Sequence, residues 1–159
     1  MLACTPAIQP LSNKDLTRTA SGWGMRIHPI YKIPMFHHGF DFTAPTGTKV
    51  YATGDGVIEK LEFNDGGYGR EILINHGFGY STRYAHLSAF NARLGQKVKR
   101  GDLIGFVGST GRSTAPHLHY EVLVNGTDVN PSLYYFNDLN ASEYQKMIQI
   151  STNSNQTFD

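Results

Sequence analysis

Three short runs of this 159-residue chain hold most of its chemically versatile side chains: His37-His38-Gly39-Phe40-Asp41, Tyr84-Ala85-His86-Leu87-Ser88 and Pro116-His117-Leu118-His119-Tyr120-Glu121. In an extended segment, side chains at i, i+2 and i+4 share a face. The first run therefore puts His37 and Asp41 on one side, with Gly39 keeping the space between them clear. His38, Phe40 and Phe42 turn the other way, where the two phenylalanines can pack into a core. In the third run His117 and His119 share one face, and Leu118, Tyr120 and Val122 take the other. Two imidazoles and one carboxylate on adjacent strands supply three ligands and leave a fourth position open to water, the ligand count of a catalytic zinc rather than a structural one. Such a centre acidifies water from 15.7 toward roughly 7 and polarises a carbonyl oxygen, which suits amide hydrolysis. Further histidines in reach can serve as general base or as stabilisers of a developing oxyanion.

Each of these patterns is weak by itself, because alternating polar residues on strands are common. His28, before Pro29, reads as the start of a turn, and His76, before Gly77, as a strand end. The helical zinc-protease signature His-Glu-x-x-His is absent, which excludes that class. Spacing alone leaves a catalytic metal site and a set of structural histidines both open.

The elements that must position these groups are short strands. Val57-Ile58-Glu59-Lys60-Leu61-Glu62-Phe63 alternates apolar and polar residues, and Asn64-Asp65-Gly66-Gly67 is a turn signal leading into Glu71-Ile72-Leu73-Ile74, so the two runs are expected to form a hairpin. Further strands are expected at Tyr80–Ala85, Leu103–Val107 and His117–Val124, the last closed by Asn125-Gly126. The expected fold is all-β, an open sandwich or barrel-like domain with a short C-terminal helix. The helix candidate is Ser142–Ile150, followed by a polar tail, Ser151 to Asp159. Residues 1–20 read as an irregular lead-in. Lys and Arg number 14 against 13 Asp and Glu, a balance that excludes the basic footprint of a nucleic-acid binder. No apolar run approaches the roughly 18–20 residues of a membrane span. Cys4 is the single cysteine, so neither an internal disulfide nor a multi-thiolate zinc site is available; whether it is a lipidation site is open, although the apolar signal stretch is missing.

Four motifs in order carry a family resemblance: Gly24-Met25-Arg26-Ile27-His28-Pro29, His37-His38-Gly39-Phe40-Asp41-Phe42, Tyr84-Ala85-His86-Leu87-Ser88 and Gly108-Ser109-Thr110-Gly111-Arg112-Ser113-Thr114-Ala115-Pro116-His117-Leu118-His119-Tyr120-Glu121. From Ser21 to about Pro131 the chain resembles the lysostaphin-type (LytM-type) zinc endopeptidases, metalloproteases that cut peptide cross-links in bacterial peptidoglycan. The resemblance implies a peptidase domain over residues 21–136 with antiparallel sheets and a substrate groove, residues 137–159 as C-terminal helix and tail, and one catalytic Zn²⁺. By position, His37, Asp41 and His119 resemble the metal ligands, and His86 and His117 the two catalytic histidines that are not ligands. Trp23 stands where an aromatic is usual, and Ala115 replaces a common Gly; neither change removes a ligand.

Arg26 and Tyr84 are further candidates for the substrate groove, each with a plainer reading: Arg26 as a surface residue at a turn, Tyr84 as a core tyrosine. Relatives that have lost ligands act as non-hydrolytic binding or activating modules for other cell-wall hydrolases, the alternative function; here every ligand position is filled. Leu94 to Gly105 also resembles the hairpin of biotinyl and lipoyl carrier domains, but Lys97 and Lys99 precede the turn at Arg100-Gly101 instead of sitting at its tip. The expected partner is the peptidoglycan stem with its cross-links, and the expected location is exported, periplasmic or cell-envelope, with no signal in this chain. D-Ala to meso-diaminopimelate, D-Ala to Lys and pentaglycine links all remain open as substrates.

Overall fold

The computed structural model describes residues 3–12, 20–28, 30–134 and 141–153. Pro29, residues 13–19, residues 135–140 and the last part of the expected tail lie outside the described residues. The strands are β1 (Ala20–Ser21), β2 (Gly24–Ile27), β3 (Pro34–His37), β4 (Phe40–Thr43), β5 (Lys49–Tyr51), β6 (Gly56–Asn64), β7 (Gly69–Gly77), β8 (Tyr80–Phe90), β9 (Lys97–Val98), β10 (Leu103–Val107), β11 (His117–Val124) and β12 (Thr127–Val129). A 3₁₀ turn at Pro131–Tyr134 and helix α1 (Ala141–Asn153) follow.

The main sheet runs β1-β4-β11-β8-β7-β6-β9, with β10 joining β5 to β8 and β12 flanking β11. Every pairing is antiparallel, and the sheet does not close into a barrel. β2 and β3 form a separate two-stranded ribbon. The hairpin of β6 and β7 closes where the turn residues demand it: Asn64 Oδ1 accepts the Gly66 N–H at 3.0 Å. β10 and β11 coincide with the runs expected from sequence.

Period-two alternation explains the core. Phe40 and Phe42 of β4, Ile72 and Ile74 of β7, and Leu118, Tyr120 and Val122 of β11 all point into one buried cluster with Val50, Ile104 and Val107. Burying a side chain of this size contributes on the order of 1.5–3 kcal/mol, so this shared face fixes the strand register. Ile148 of α1 packs against the same cluster, and the helix runs on to Asn153, three residues beyond the expected end.

The described part of the lead-in is irregular but tied down. Ala7 N–H donates to Thr53 O, Asp55 N–H to Ala3 O, and Arg100 Nη2 to Thr5 O. Leu11 joins the core cluster, and Cys4 is half-buried. The segment compared with carrier domains is built into the sheet, β9 against β6 and β10 between β5 and β8.

Candidate metal centre

The register of β4 and β11 sets Asp41 opposite His119. His37, at the end of β3, arrives from the ribbon. Residues 38 and 39 belong to no strand, so the run that the sequence suggests as one extended segment is two strands joined by a short link. At that link Gly39 is required by close approach: a Cβ there would lie 2.6 Å from Tyr120 O and 2.8 Å from His119 Cε1 and Nε2. His38 faces outward, with Nδ1 3.0 Å from Asp128 Oδ2.

Three buried donor atoms converge. Asp41 Oδ1 lies 3.1 Å from His37 Nε2 and 2.9 Å from His119 Nδ1, and the two nitrogens are 3.2 Å apart. At metal–ligand bonds of 2.0–2.1 Å, the ligands of a tetrahedral zinc stand roughly 3.3 Å from one another, so this triangle fits one face of such a site. His37, Asp41 and His119 form the one group among the described residues whose ligand atoms are close enough to hold a metal together.

The surroundings fix both tautomers. His37 Nδ1 is 2.9 Å from Gly22 O, a group that can only accept, so that nitrogen carries the proton and Nε2 turns its lone pair inward. His119 Nε2 is 2.9 Å from Glu121 Oε1, which leaves Nδ1 as the inward lone pair. Glu121 also accepts the Tyr68 hydroxyl at 2.7 Å and Arg83 Nη1 at 2.6 Å, and Arg83 Nε pairs with Glu71 at 2.9 Å. Burial by itself raises a carboxyl, but the His119 hydrogen bond, the Arg83 charge and the Tyr68 hydrogen bond outweigh it and hold Glu121 down to about 2. Burial and the Glu121 charge push the Tyr68 phenol up to about 12, so it stays a donor. A carboxylate behind a ligating imidazole orients the ring and raises its basicity. Glu121 stands in the third histidine run, but the run itself does not mark this role. The available signal was its i+2 spacing from His119; Arg83, which sits opposite Glu121 in the register of β8 and β11, left no signal.

His86 and His117 are buried beside the triad, with ring centroids 4.7 Å apart. His86 Nδ1 is 2.7 Å from Thr110 O, and His117 Nδ1 is 2.8 Å from Ala115 O, so both rings are anchored through Nδ1–H on a backbone carbonyl. His117 Nε2 is 3.8 Å from Asp41 Oδ1. The His86 ring centroid lies 6.0 Å from that of His119.

Of the two groove candidates, Tyr84 lies in the core and Arg26 on the β2–β3 ribbon. Tyr84 is fully buried in the core, its hydroxyl accepting the Thr53 N–H at 3.0 Å and lying 2.9 Å from Thr82 Oγ1. This is the plainer reading; strict alternation would put Tyr84 on the face of His86, but alternation breaks between them. β7 advances two residues, Arg70 to Ile72, while β8 spans three, Leu87 to Tyr84. This is a β-bulge, with His86 at φ 60°, and it re-aims the imidazole away from the core. Arg26, half-buried, donates from Nη1 to Met25 O and lines a cavity with Met25, Ile27 and Pro34, separate from the one lined by His37 and His119. His28 and His76 both hold local structure, and His28 also lines the cavity of His37 and His119. His28 Nδ1 accepts the Ile30 and Tyr31 N–H groups in the ribbon turn. His76 bridges Asp55 O and Thr82 Oγ1, and burial lowers its pKa.

A β-domain presenting two histidines and an aspartate as a ready ligand set, with two more anchored histidines at its side, has the form of a hydrolytic metal centre. The chain belongs to peptidase family M23, whose pattern it matches over residues 35–131. It is 53% identical over 115 residues to the DD-carboxypeptidase/endopeptidase Mpg of Neisseria meningitidis, covering 72% of this chain and 26% of that protein. It is 44% identical over 118 residues to the peptidoglycan DD-endopeptidase ShyC of Vibrio cholerae, covering 74% and 27%. The chain thus spans about a quarter of the length of these relatives. Among solved structures, a zinc-containing peptidase from Vibrio cholerae superposes with a TM-score of 0.72 at 36% identity, covering 86% of this chain and 41% of that one. The catalytic domain of lysostaphin from Staphylococcus simulans gives 0.69 at 34% identity, covering 79% and 98%.

Proposed function

We propose that this chain is a zinc metalloendopeptidase that hydrolyses peptide cross-links of bacterial peptidoglycan and works in the cell envelope. The observation that carries the reading is the triangle of His37 Nε2, Asp41 Oδ1 and His119 Nδ1, with both imidazoles pre-set in the ligating tautomer. The relatives named as peptidoglycan DD-endopeptidases support the substrate class.

His37, Asp41 and His119 would hold the zinc, which when bound supplies Lewis acidity, bringing water toward neutral pKa and polarising the scissile carbonyl. Hydrolysis joins a water oxygen to the carbonyl carbon, breaks the C–N bond and delivers a proton to the leaving amine. His86 and His117 are the proposed carriers of that proton and donors to the tetrahedral oxyanion. Each is anchored through Nδ1–H, so Nε2 is the nitrogen left for chemistry. The non-hydrolytic module is disfavoured by the intact ligand set.

The test is incubation of purified cross-linked muropeptide dimers with the zinc-loaded protein and with chelated protein, followed by mass spectrometry. The reading predicts zinc-dependent conversion of dimers to monomers. Intact dimers after incubation with the zinc-loaded protein would hand the lead to the non-hydrolytic module.

A further inference from the structure

We propose that Arg112 sets the substrate class of this site by binding a carboxylate on the carbon that bears the scissile amide nitrogen. The inference rests on the endopeptidase reading above. Two cavities, of about 260 and 150 Å³, lie along the groove. One is lined by His86, the other by His37 and His119, and only Tyr68 and Arg112 line both. A peptide chain passing from the anchored histidine to the ligand set must therefore cross Arg112. Among the residues lining the two cavities it is the one permanent cation; Arg83 is engaged by Glu71 and Glu121 and lines neither.

The position of Arg112 is fixed by backbone. Gly111, at φ +73°, lies so close to the turn before β7 that a Cβ would stand 2.3 Å from Gly69 N. Arg112 N–H donates to Gly67 O at 2.8 Å, and Nη2 donates to Gly66 O at 3.0 Å. Thr110, two residues earlier, presents the carbonyl that anchors His86. The guanidinium is thus held in register with that imidazole. It carries five N–H groups in a planar fork and is exposed, the geometry that takes a carboxylate bidentately.

Chemistry then separates the open substrates. In a D-Ala to meso-diaminopimelate link, the carbon attached to the scissile nitrogen carries a free carboxylate, and so does a C-terminal D-Ala. In D-Ala to Lys and pentaglycine links that carbon carries none. The Neisseria relative is named for both carboxypeptidase and endopeptidase activity, and the two acidic substrates share this one feature.

The probes are a stem peptide ending in D-Ala-D-Ala as the free acid and the same peptide as its C-terminal amide. Binding is read by calorimetry in the zinc-loaded His86→Gln background, which suppresses turnover, with and without Arg112→Gln. The acid should bind on the order of 10–100-fold tighter than the amide, Arg112→Gln should erase that ratio without weakening the amide, and Arg112→Lys should restore part of it. Equal binding of acid and amide, or equal weakening of both by Arg112→Gln, would overturn the inference. Wild-type protein that leaves cross-linked muropeptide dimers intact while the Arg112-dependent ratio persists keeps the inference and removes the endopeptidase reading. Cleavage of the dimers together with equal binding of acid and amide keeps the reading and removes the inference.

Discussion

Glu121→Gln is the substitution that probes the support behind the metal site. It keeps the shape and removes the charge. One carboxylate oxygen takes two donors, His119 Nε2–H and the Tyr68 hydroxyl, and the other takes Arg83. A glutamine oxygen can serve one side; its NH₂ then faces a donor on the other. The gap between 4.5 and about 2, at about 1.4 kcal/mol per pH unit, comes to about 3 kcal/mol for the metal-free protein. Breaking one partner out of a buried ion pair typically costs about 3–5 kcal/mol, the same order. The sign follows from a carboxyl whose folded pKa is depressed: this stabilisation is complete above pH 4.5 and is lost as pH falls toward about 2. Denaturant unfolding of the metal-free protein at pH 7 and at pH 3 should therefore show wild type losing stability on acidification more steeply than Glu121→Gln, and the variant weaker at pH 7. Zinc competition with a fluorescent chelator should show affinity reduced by about 10–100-fold, the usual penalty for losing a partner behind a ligand. Unchanged unfolding and unchanged zinc affinity would refute the assigned role.

Other outcomes follow from the same geometry. Gly39→Ala places a methyl against Tyr120 O and the His119 ring, so zinc affinity in the chelator assay should fall at least about tenfold and stability by about 1–3 kcal/mol. Tyr84→Phe removes a buried hydroxyl bonded to Thr53 and Thr82; denaturant unfolding should show a loss of about 1–3 kcal/mol with peptide cleavage unchanged, whereas a groove role would lower kcat/KM. His86→Ala should retain zinc by elemental analysis and lose on the order of 10²–10³ in kcat on a muropeptide dimer.

Much of this was legible from local rules. The i, i+2 spacing of His117 and His119 and the Asn64–Gly67 turn act within a few residues of chain, and the strands β10 and β11 stand where alternation puts them. What stayed hidden depends on register between distant strands. The bulge at His86 meets partners from distant segments, Tyr68 O on its N–H and Thr110 O on its ring, and no property of Tyr84-Ala85-His86 announces it. The ion pairs of Arg83 with Glu71 and Glu121 join β7, β8 and β11 side by side, although their residues are 12 and 38 apart. The lead-in reads as loose because it lacks periodicity, yet the backbone of its described part bonds to Thr53, Asp55 and the Arg100 side chain.

The central claim is that three named side chains hold one catalytic zinc. Elemental analysis of purified wild-type protein and of His37→Ala, each equilibrated with zinc and freed of excess, tests it most directly. The account predicts one tightly held zinc per wild-type chain and its loss from the folded variant. Tight zinc in His37→Ala at the wild-type level, or a folded wild type that retains none, would contradict it.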